Sequence, residues 1–497
     1  MNRTKGIGMQ EIVSTINGYV WSSALIYLCL GAGLFYSILT RFAQVRHFRE
    51  MVRLIFRGKE SDRGISSFQA LAVSLSGRVG VGNIAGVAAA IGFGGPGAVF
   101  WMWVVAFLGA STAYIESALS QIYKEEDEGQ LRGGPAYYIE KAMGQKWYAW
   151  IFAISTIIAV GLLLPGVQSN SIGNAAELAF GSSSTVNFMG DAVSSTKMIT
   201  AIAIVAIFTF IVFGGVKRIA HFTQIVVPFM ALGYILMAIV IIGMHISELP
   251  GVVSMIFKDA FTPIAGFGAA IGWGVKRGVY SNEAGQGTGP HAAAAAEVEH
   301  PAQQGLVQAF SVYVDTLFIC SATAFMILIT NQYYVSGLDN AISGGMLSSE
   351  IIISSPAFTQ LALESVMGGF GKTFVAIALF FFAFTTILAY YYIAETNVAW
   401  VSRSLKFPGK LITLKIAIIV SVFFGTIRPA DLAWEMGDIG VGLMAWLNII
   451  GILILFFMGR PALKALRDYE RQKKEGVTQY TFNPEALGIK NADFWKK

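Results

Sequence analysis

Charge is what this sequence has least of. Asp, Glu, Lys and Arg make up only 13% of its 497 residues, against 55% apolar, whereas soluble domains carry about a quarter charged residues. A chain so composed lacks the polar surface to cover itself in water, and the class it indicates is a polytopic membrane protein. Cysteine is scarce too. Cys29 and Cys320 are the whole complement, each inside an apolar run, which argues against a disulfide scaffold or zinc site and for small core residues. No GxxxxGKS/T phosphate loop occurs, so nothing points to an ATP-driven pump within the chain. His291 and His300 lack the HExxH spacing of a zinc hydrolase and read as surface or packing residues. No nucleophile–base pair suggests a membrane enzyme. A net charge of +5 is modest, and neither a nucleic-acid partner nor an obligate protein partner is expected.

What the sequence has in quantity is long apolar runs. A bilayer-spanning helix needs about 20 mostly apolar residues. Eleven runs qualify, near 19–40, 68–94, 97–122, 147–176, 198–215, 219–243, 260–290, 304–331, 372–397, 410–427 and 434–458. The first exceeds the apolar core of a signal peptide and ends without a small-residue cleavage pattern, so it reads as a spanning helix. Basic residues orient the set, because they concentrate on the cytoplasmic side. Arg41, Arg46, Arg49, Arg53, Arg57, Lys59 and Arg63 follow the first run. Alternate loops repeat the bias with Lys124, Arg132, Lys141 and Lys146, then Lys217 and Arg218, then Arg403, Lys406 and Lys410. The tail opens with Arg460, Lys464, Arg467 and Arg471. The loop 291–303 has no Lys or Arg and gives no orientation. The pattern predicts a multi-pass protein with its N-terminus outside and its C-terminus cytoplasmic, as an odd number of crossings requires, and the plasma (bacterial inner) membrane is the expected location.

Two runs spoil their own helices. "SLSGRVGVGNIAG", residues 74–86, sets Gly77, Gly80, Gly82 and Gly86 around Arg78 and Asn83. "GFGAAIGWGVKRGVYSNEAGQGTGP" in the seventh run holds Gly266, Gly268, Gly272, Gly274, Gly278, Gly285, Gly287 and Gly289. Unpaired backbone groups in lipid cost several kcal/mol, so unwinding persists only where protein or a wet cavity satisfies them. With the first run set aside, these become helices 1 and 6 of ten. That is the layout of two five-helix halves, each opening on a discontinuous helix, and the best sequence pointer to a secondary transporter's site. Tight packing through the GxxxG of Gly82 and Gly86 is the alternative. It accounts neither for an arginine and an asparagine at that depth nor for recurrence five runs later. Gly80, Gly82 and Ala85 also fit the GxGxxA of dinucleotide sites, but the preceding strand that motif needs is absent.

A broken helix offers two chemistries. The half beginning near Asn83 presents free amides and a positive dipole end, which suit a carboxylate. Freed carbonyls of Ser76, Val79 and Ala270 suit a hard cation. Together they make a site for an amino acid beside sodium. Thr385 and Thr386 in "LFFFAFTTILAYYYIAE" lie mid-membrane, where they either join the cation site or bond back to their own helix. Gln168 and Asn170, after helix-breaking Pro165 and Gly166, either face the substrate path or cap a helix end.

At this point the sequence resembles a known family. "SGRVGVGNIAGVAAAIGFGGPGAVFWMW", "GGPAYYIEKAMG", "VQSNSI", "GVKRGVYSNEAGQGTGPHAAAAA", "FTTIL" and the closing "LGIKNADFW" are similar to the alanine or glycine:cation symporter family, over nearly the whole chain. The resemblance implies an all-α fold of the leucine-transporter type. This is a 5+5 inverted repeat with discontinuous helices 1 and 6, plus one extra N-terminal helix, eleven transmembrane helices in all. It divides the chain into 1–66 (extra helix and basic loop), repeats at 67–250 and 251–458, and a cytoplasmic tail at 459–497. It implies inward symport of small neutral amino acids, alanine or glycine, with sodium or sometimes protons. It further implies a sodium site from the carbonyls of Ser76, Val79 and Phe382 and the hydroxyls of Thr385 and Thr386. Asn83 would lie next to the substrate carboxylate. Gly80, Gly82, Gln168, the "AAIGWG" turn with Gly272, Trp273 and Gly274, Thr386 and Tyr390 would line the substrate pocket. Two residues depart from the family pattern: Val81 stands where relatives often have Thr, and Tyr390 where they often have Trp.

Ionisable residues within the runs are costly and usually functional or paired. Arg78, Glu116, Lys276, Arg277, Glu283 and Asp315 qualify, each with a structural ion pair as the alternative. Arg78 and Glu283 lie nearest the breaks and are the first candidates for gate partners. Glu395 is expected to reach the interface. A cation site of neutral oxygens favours sodium over a proton, which needs a titrating group. One sodium ion falling through 100 mV and a tenfold gradient yields about 3.7 kcal/mol, enough for a substrate gradient of several hundredfold. Proton coupling, or a channel or sensor on the same scaffold, is the competing reading. The long 332–371 loop is expected to form an external lid.

Overall fold

Where no water reaches the backbone, a chain must hydrogen-bond to itself, and the apolar runs accordingly form helices. The computed structural model describes residues 3–56, 64–405, 409–429 and 431–496. Arg57, Lys59, Arg63 and Lys406, used above to orient the chain, lie outside the described residues. Among the described residues nine helices are long and apolar enough to cross a membrane: Gln10–Leu39, Ala98–Ile122, Lys146–Phe180, Ser195–Val212, Gly215–Met244, Pro301–Ile329, Phe370–Val401, Lys410–Ile427 and Leu432–Phe457. The two glycine-rich runs are each divided in two, Ser67–Arg78 with Ala85–Gly94, and Phe267–Asn282 with Gly289–Ala295.

Four details differ from the sequence reading. The first apolar helix starts earlier than residue 19, as Arg3–Val20 joined to Ser23–Leu39. Connecting stretches carry helices of their own, Leu249–Phe261 and Ala357–Met367. Two small hairpins pair Glu125–Asp127 with Gln130–Arg132 and Thr185–Phe188 with Asp191–Ser194. Two spanning helices widen into π turns, at Ala159–Leu163 and Val314–Cys320. The first follows from Pro165, whose ring crowds the carbonyl of residue 161 and which has no N–H to offer. The second contains Asp315.

Burial separates centre from rim. Pro301–Ile329 and Phe370–Val401 are 72% buried, whereas Ser195–Val212 and Lys410–Ile427 are 28% buried and turn Ile199, Ile202, Phe210, Ile412 and Ile416 outward. Exposed apolar side chains on this scale suit a lipid solvent, and the chain is a multi-pass membrane protein. The four half-helices lie in the centre. Ser67–Arg78 packs on Gly289–Ala295, and Ala85–Gly94 packs on Phe267–Asn282. The stretch ahead of Ala357–Met367 folds over the end of Ala85–Gly94, where Ser336 N–H donates to Gly92 O at 2.7 Å and Ile353 packs on Gly92.

The tail is docked rather than merely solvated. On Pro461–Lys474, Glu470 meets Arg41 at 2.9 Å, Arg46 at 2.6 Å and His47 at 2.9 Å, and Lys473 meets Glu50 at 2.8 Å. The indole of Trp495 donates to Gln121 O at 2.9 Å. Phe494 and Trp495 cover Lys124 at 4.5 and 5.1 Å. Those aromatic faces favour the ammonium, but complete burial outweighs them and pushes Lys124 down to about 7. An unfolded lysine titrates near 10.4. From about pH 7 to about pH 10 the unfolded chain therefore holds a proton that the folded chain has shed, and stability rises with pH across that window. Lys124→Met is expected to raise the melting temperature by several degrees at pH 6 and by progressively less toward pH 10. A gain independent of pH in thermal unfolding scans would contradict this account of Lys124.

Candidate functional site

The first break begins with a well-formed helix. Ser66 caps it reciprocally with Gln69, Gln69 N–H donating to Ser66 Oγ at 3.2 Å and Ser66 N–H to Gln69 Oε1 at 3.0 Å. The helix ends at Arg78 because Gly80 N–H, which would continue it by bonding Ser76 O, donates instead to Asn83 Oδ1 at 2.9 Å. Val81 N–H donates to Gln168 Oε1 at 3.0 Å. A short 3₁₀ turn, Val81–Asn83, leads into Ala85–Gly94. Only glycine fits at residue 80, since a Cβ there would lie 2.5 Å from Thr386 Oγ1 and 3.0 Å from Gln168 Oε1. Every residue from Val79 to Ile91 is buried.

The carbonyls released by this break converge on one hydroxyl. Thr386 Oγ1 lies 2.7 Å from Ser76 O, 3.4 Å from Val79 O and 2.9 Å from Phe382 O. Four of the five groups expected to hold sodium therefore meet. The fifth points elsewhere: Thr385 Oγ1 bonds back to Phe381 O at 2.9 Å and Phe382 O at 3.0 Å, beside Met230 on the Gly215–Met244 helix. Adjacent helical residues are about 100° apart, so one of the pair faces the break and its neighbour does not. The donor set is three carbonyls and a hydroxyl, which fits a hard monovalent cation. Among the described residues no group of three or more His, Cys, Asp or Glu could hold a metal.

Gln168 and Tyr390 complete this wall, the Tyr390 hydroxyl lying beside the Gln168 side chain. Asn170 takes the other of its two expected roles. Its amide donates to Gly425 O at 2.9 Å and Arg428 O at 2.7 Å, capping the end of Lys410–Ile427.

The second break comes later than the sequence suggested. Residues 269–274, expected to form a turn, lie inside the continuous Phe267–Asn282 helix, so the carbonyl of Ala270 is not released. Gly272, Trp273 and Gly274 serve packing instead. Trp273 stacks on Phe93 at 4.5 Å, and Gly274 admits Ala98, whose carbonyl would be 2.5 Å from an added Cβ. Trp273 sits ten residues before Glu283, about 15 Å along a helix. The break itself runs through Glu283 (φ +57), Gly285 (φ +83) and Gly287 (φ +82). A Cβ added at Gly82 of the first break would lie 3.0 Å from Ser281 Cα, so the first interruption packs closely on the last turn of the helix that leads into the second.

Three buried carboxylates surround them. Glu116 receives Gly285 N–H at 3.2 Å, Gly287 N–H at 3.1 Å and Asn448 Nδ2 at 2.6 Å, fixing the second break from a neighbouring helix. Glu283 receives Thr288 Oγ1 at 2.9 Å. Asp315 receives Asn83 Nδ2 at 2.7 Å, Ser281 Oγ at 3.1 Å and Thr316 Oγ1 at 2.7 Å, tying the first break to the second. Asn83 is thus bound by protein at both ends of its amide. The expected partnership of Arg78 with Glu283 is not formed. Arg78 donates to Gln308 Oε1 at 3.2 Å and to Ser311, and its Nε and Nη2 have no hydrogen-bond partner among the described residues.

The strong ion pair lies elsewhere. Arg277 grips Asp438 in two parallel bonds of 3.0 and 2.7 Å, and Lys276 joins at 2.7 Å. Glu395 pairs with Arg132 at 3.2 Å. His291 and His300 are fully buried rather than at the surface, bonded to Asn397 and Asp468. Asp438 and Asn448 were missed by sequence reading. Both lie in the final apolar run, and a lone polar residue there names no partner.

The sodium:alanine symporter family model matches residues 7–483. The chain belongs to this family. YrbD of Bacillus subtilis (strain 168) is 56% identical, covering 98% of each chain. The sodium/proton-dependent alanine carrier protein of Bacillus sp. (strain PS3) is 48% identical over 90% of this chain and 97% of its own. The sodium/alanine symporter AgcS of Methanococcus maripaludis is 36% identical over 94% and 99%. Among solved structures, MhsT in complex with L-phenylalanine aligns with a TM-score of 0.51 at 15% identity, covering 79% of this chain and 98% of that one. That likeness gives the symporter family member the leucine-transporter fold.

Proposed function

We infer that this protein carries a small neutral amino acid, alanine or glycine, across the bacterial plasma membrane in symport with sodium, by alternating access. The observation that carries the reading is the convergence of the Ser76, Val79 and Phe382 carbonyls on Thr386 Oγ1, directly beside the amides of Gly80 and Val81. Sodium takes the carbonyls and the hydroxyl. The substrate carboxylate takes over the Val81 amide from Gln168, and Gly82 lets it approach the backbone. The two repeats, 67–250 and 251–458, rock about this centre, with the N-terminus outside and the tail from 459 in the cytoplasm. Names given to similar carriers support alanine and sodium.

The test is uptake of labelled alanine into proteoliposomes, with and without an inward sodium gradient, against glycine, serine and glutamine as competitors. Saturable uptake that needs the gradient is expected; ion current without substrate movement would assign the scaffold to a channel. Gln168→Glu sets a fixed carboxylate where the substrate's must bind. It is expected to raise the alanine KM at least about tenfold, the loss of one charge-assisted hydrogen bond. An unchanged KM removes Gln168 and the Val81 amide from the site.

A further inference from the structure

We propose that Asp315 is the proton-binding group of this carrier, and that it acts through Asn83 on the first break. This rests on the transport reading above. Asp315 and its partners are wholly buried, with Asp315 itself at 0% exposure. A buried carboxylate is retained when it is paired, neutralised or bound to a cation. Asp315 has no ion pair among the described residues; all its hydrogen bonds come from neutral donors, Asn83, Ser281 and Thr316. Around Arg78 the buried charges do not balance, one guanidinium standing against Glu116, Glu283 and Asp315, while Arg277 and Lys276 are engaged by Asp438.

A proton fits this place better than a metal ion. Three donors already point at the carboxylate, and two of them also touch the Cys320 sulfur, which is 3.2 Å from Ser281 Oγ and 3.3 Å from Asn83 Nδ2. A thiol is a poor ligand for a hard cation. Protonation is a simple addition: one proton joins Oδ2, and Thr316 Oγ1 at 2.7 Å turns from donor to acceptor, as a hydroxyl can. The charge-assisted bond from Asn83 Nδ2 then weakens to a neutral one. Asn83 holds Gly80 N–H through its other atom, so the change reaches the amides and carbonyls of the break within two bonds. The titratable and charged groups facing Asp315 are Arg78 from the first half-helix, Glu283 from the second break and Cys320 from its own helix. Behind them, Glu116 stands against Arg78 and Tyr234 against Cys320.

The test uses full-length protein in proteoliposomes that enclose a pH-sensitive dye, with sodium present. Wild type is expected to acidify the lumen when alanine is added outside. Asp315→Asn, which mimics the protonated side chain, is expected to keep sodium-driven alanine uptake within about tenfold of wild type. It should lose the acidification and show an uptake rate flat from pH 5.5 to 8.5. Acidification or a wild-type pH profile in Asp315→Asn overturns the proposal. Should that variant be inactive, purified wild type in weakly buffered detergent decides the matter: net proton exchange on alanine binding supports the proposal, and its absence overturns it. Wild-type uptake without any proton signal likewise overturns it while leaving sodium symport standing. No wild-type uptake at all overturns the transport reading and this inference with it.

Discussion

Thr386→Val is expected to raise the sodium concentration for half-maximal alanine uptake at least tenfold, or about 1.4 kcal/mol, whereas Thr385→Val shifts it less than about twofold. Valine keeps the shape of threonine and removes only the hydroxyl. At residue 386 that hydroxyl is the meeting point of Ser76 O, Val79 O and Phe382 O, at 2.7, 3.4 and 2.9 Å. Its removal deletes a ligand of the proposed cation site and leaves two buried carbonyls short of a partner, each worth about 1–3 kcal/mol. At residue 385 the hydroxyl returns to its own helix, so the loss is local. Sodium titrations of initial uptake rates on the two single variants decide between them. Equal effects would mean that both hydroxyls, or neither, serve the ion.

Asp438→Asn is expected to destabilise the protein by about 3–5 kcal/mol, because it leaves Arg277 buried without its carboxylate. Arg277 is 2% exposed, and Lys276 shares the same acid. The guanidinium is stacked over Trp273, Tyr280 and Trp434 at 5.2 to 5.4 Å, which holds it in place but supplies no counter-charge. Trp21, on the turn after Arg3–Val20, donates to the Asp438 backbone at 2.8 Å, so the additional N-terminal helix shares in the loss. The melting temperature of Asp438→Asn should fall well below that of Lys496→Ala, which breaks only exposed pairs worth up to about 1 kcal/mol. Combining Asp438→Leu with Arg277→Met and Lys276→Met should recover most of the loss, since three apolar side chains leave no charge stranded. A triple variant as unstable as the single one would show that packing, not charge, governs this cluster.

The sequence revealed the first break because every signal there is local. Glycines, an arginine and an asparagine within ten residues leave few alternatives, and the carbonyls of Ser76 and Val79 follow from the interruption itself. The second break was harder to place. Eight glycines lie between Gly266 and Gly289, and composition does not separate those that bend the chain from those that let helices touch. Gly285 and Gly287 take positive φ, while Gly274 and Gly278 admit Ala98 and Val105. Asp315 was visible as a charge in the membrane, but its bond to Asn83 spans 232 residues. Arg78 and Glu283 are neighbours in depth, yet Arg78 turns to Gln308 and Ser311 instead. Pairings of this kind are set by helix rotation, which a few degrees decide and no motif records.

In the proposed site, the Gln168 oxygen on the Val81 amide makes recognition an exchange rather than an addition. An arriving carboxylate trades one hydrogen bond for a stronger one and releases a side-chain amide that must find a new partner, so the net enthalpy gained at that contact is small. Calorimetry should therefore record little heat for alanine alone and a marked increase once sodium is present, with the ion rather than the amino acid setting how tightly the pair is held.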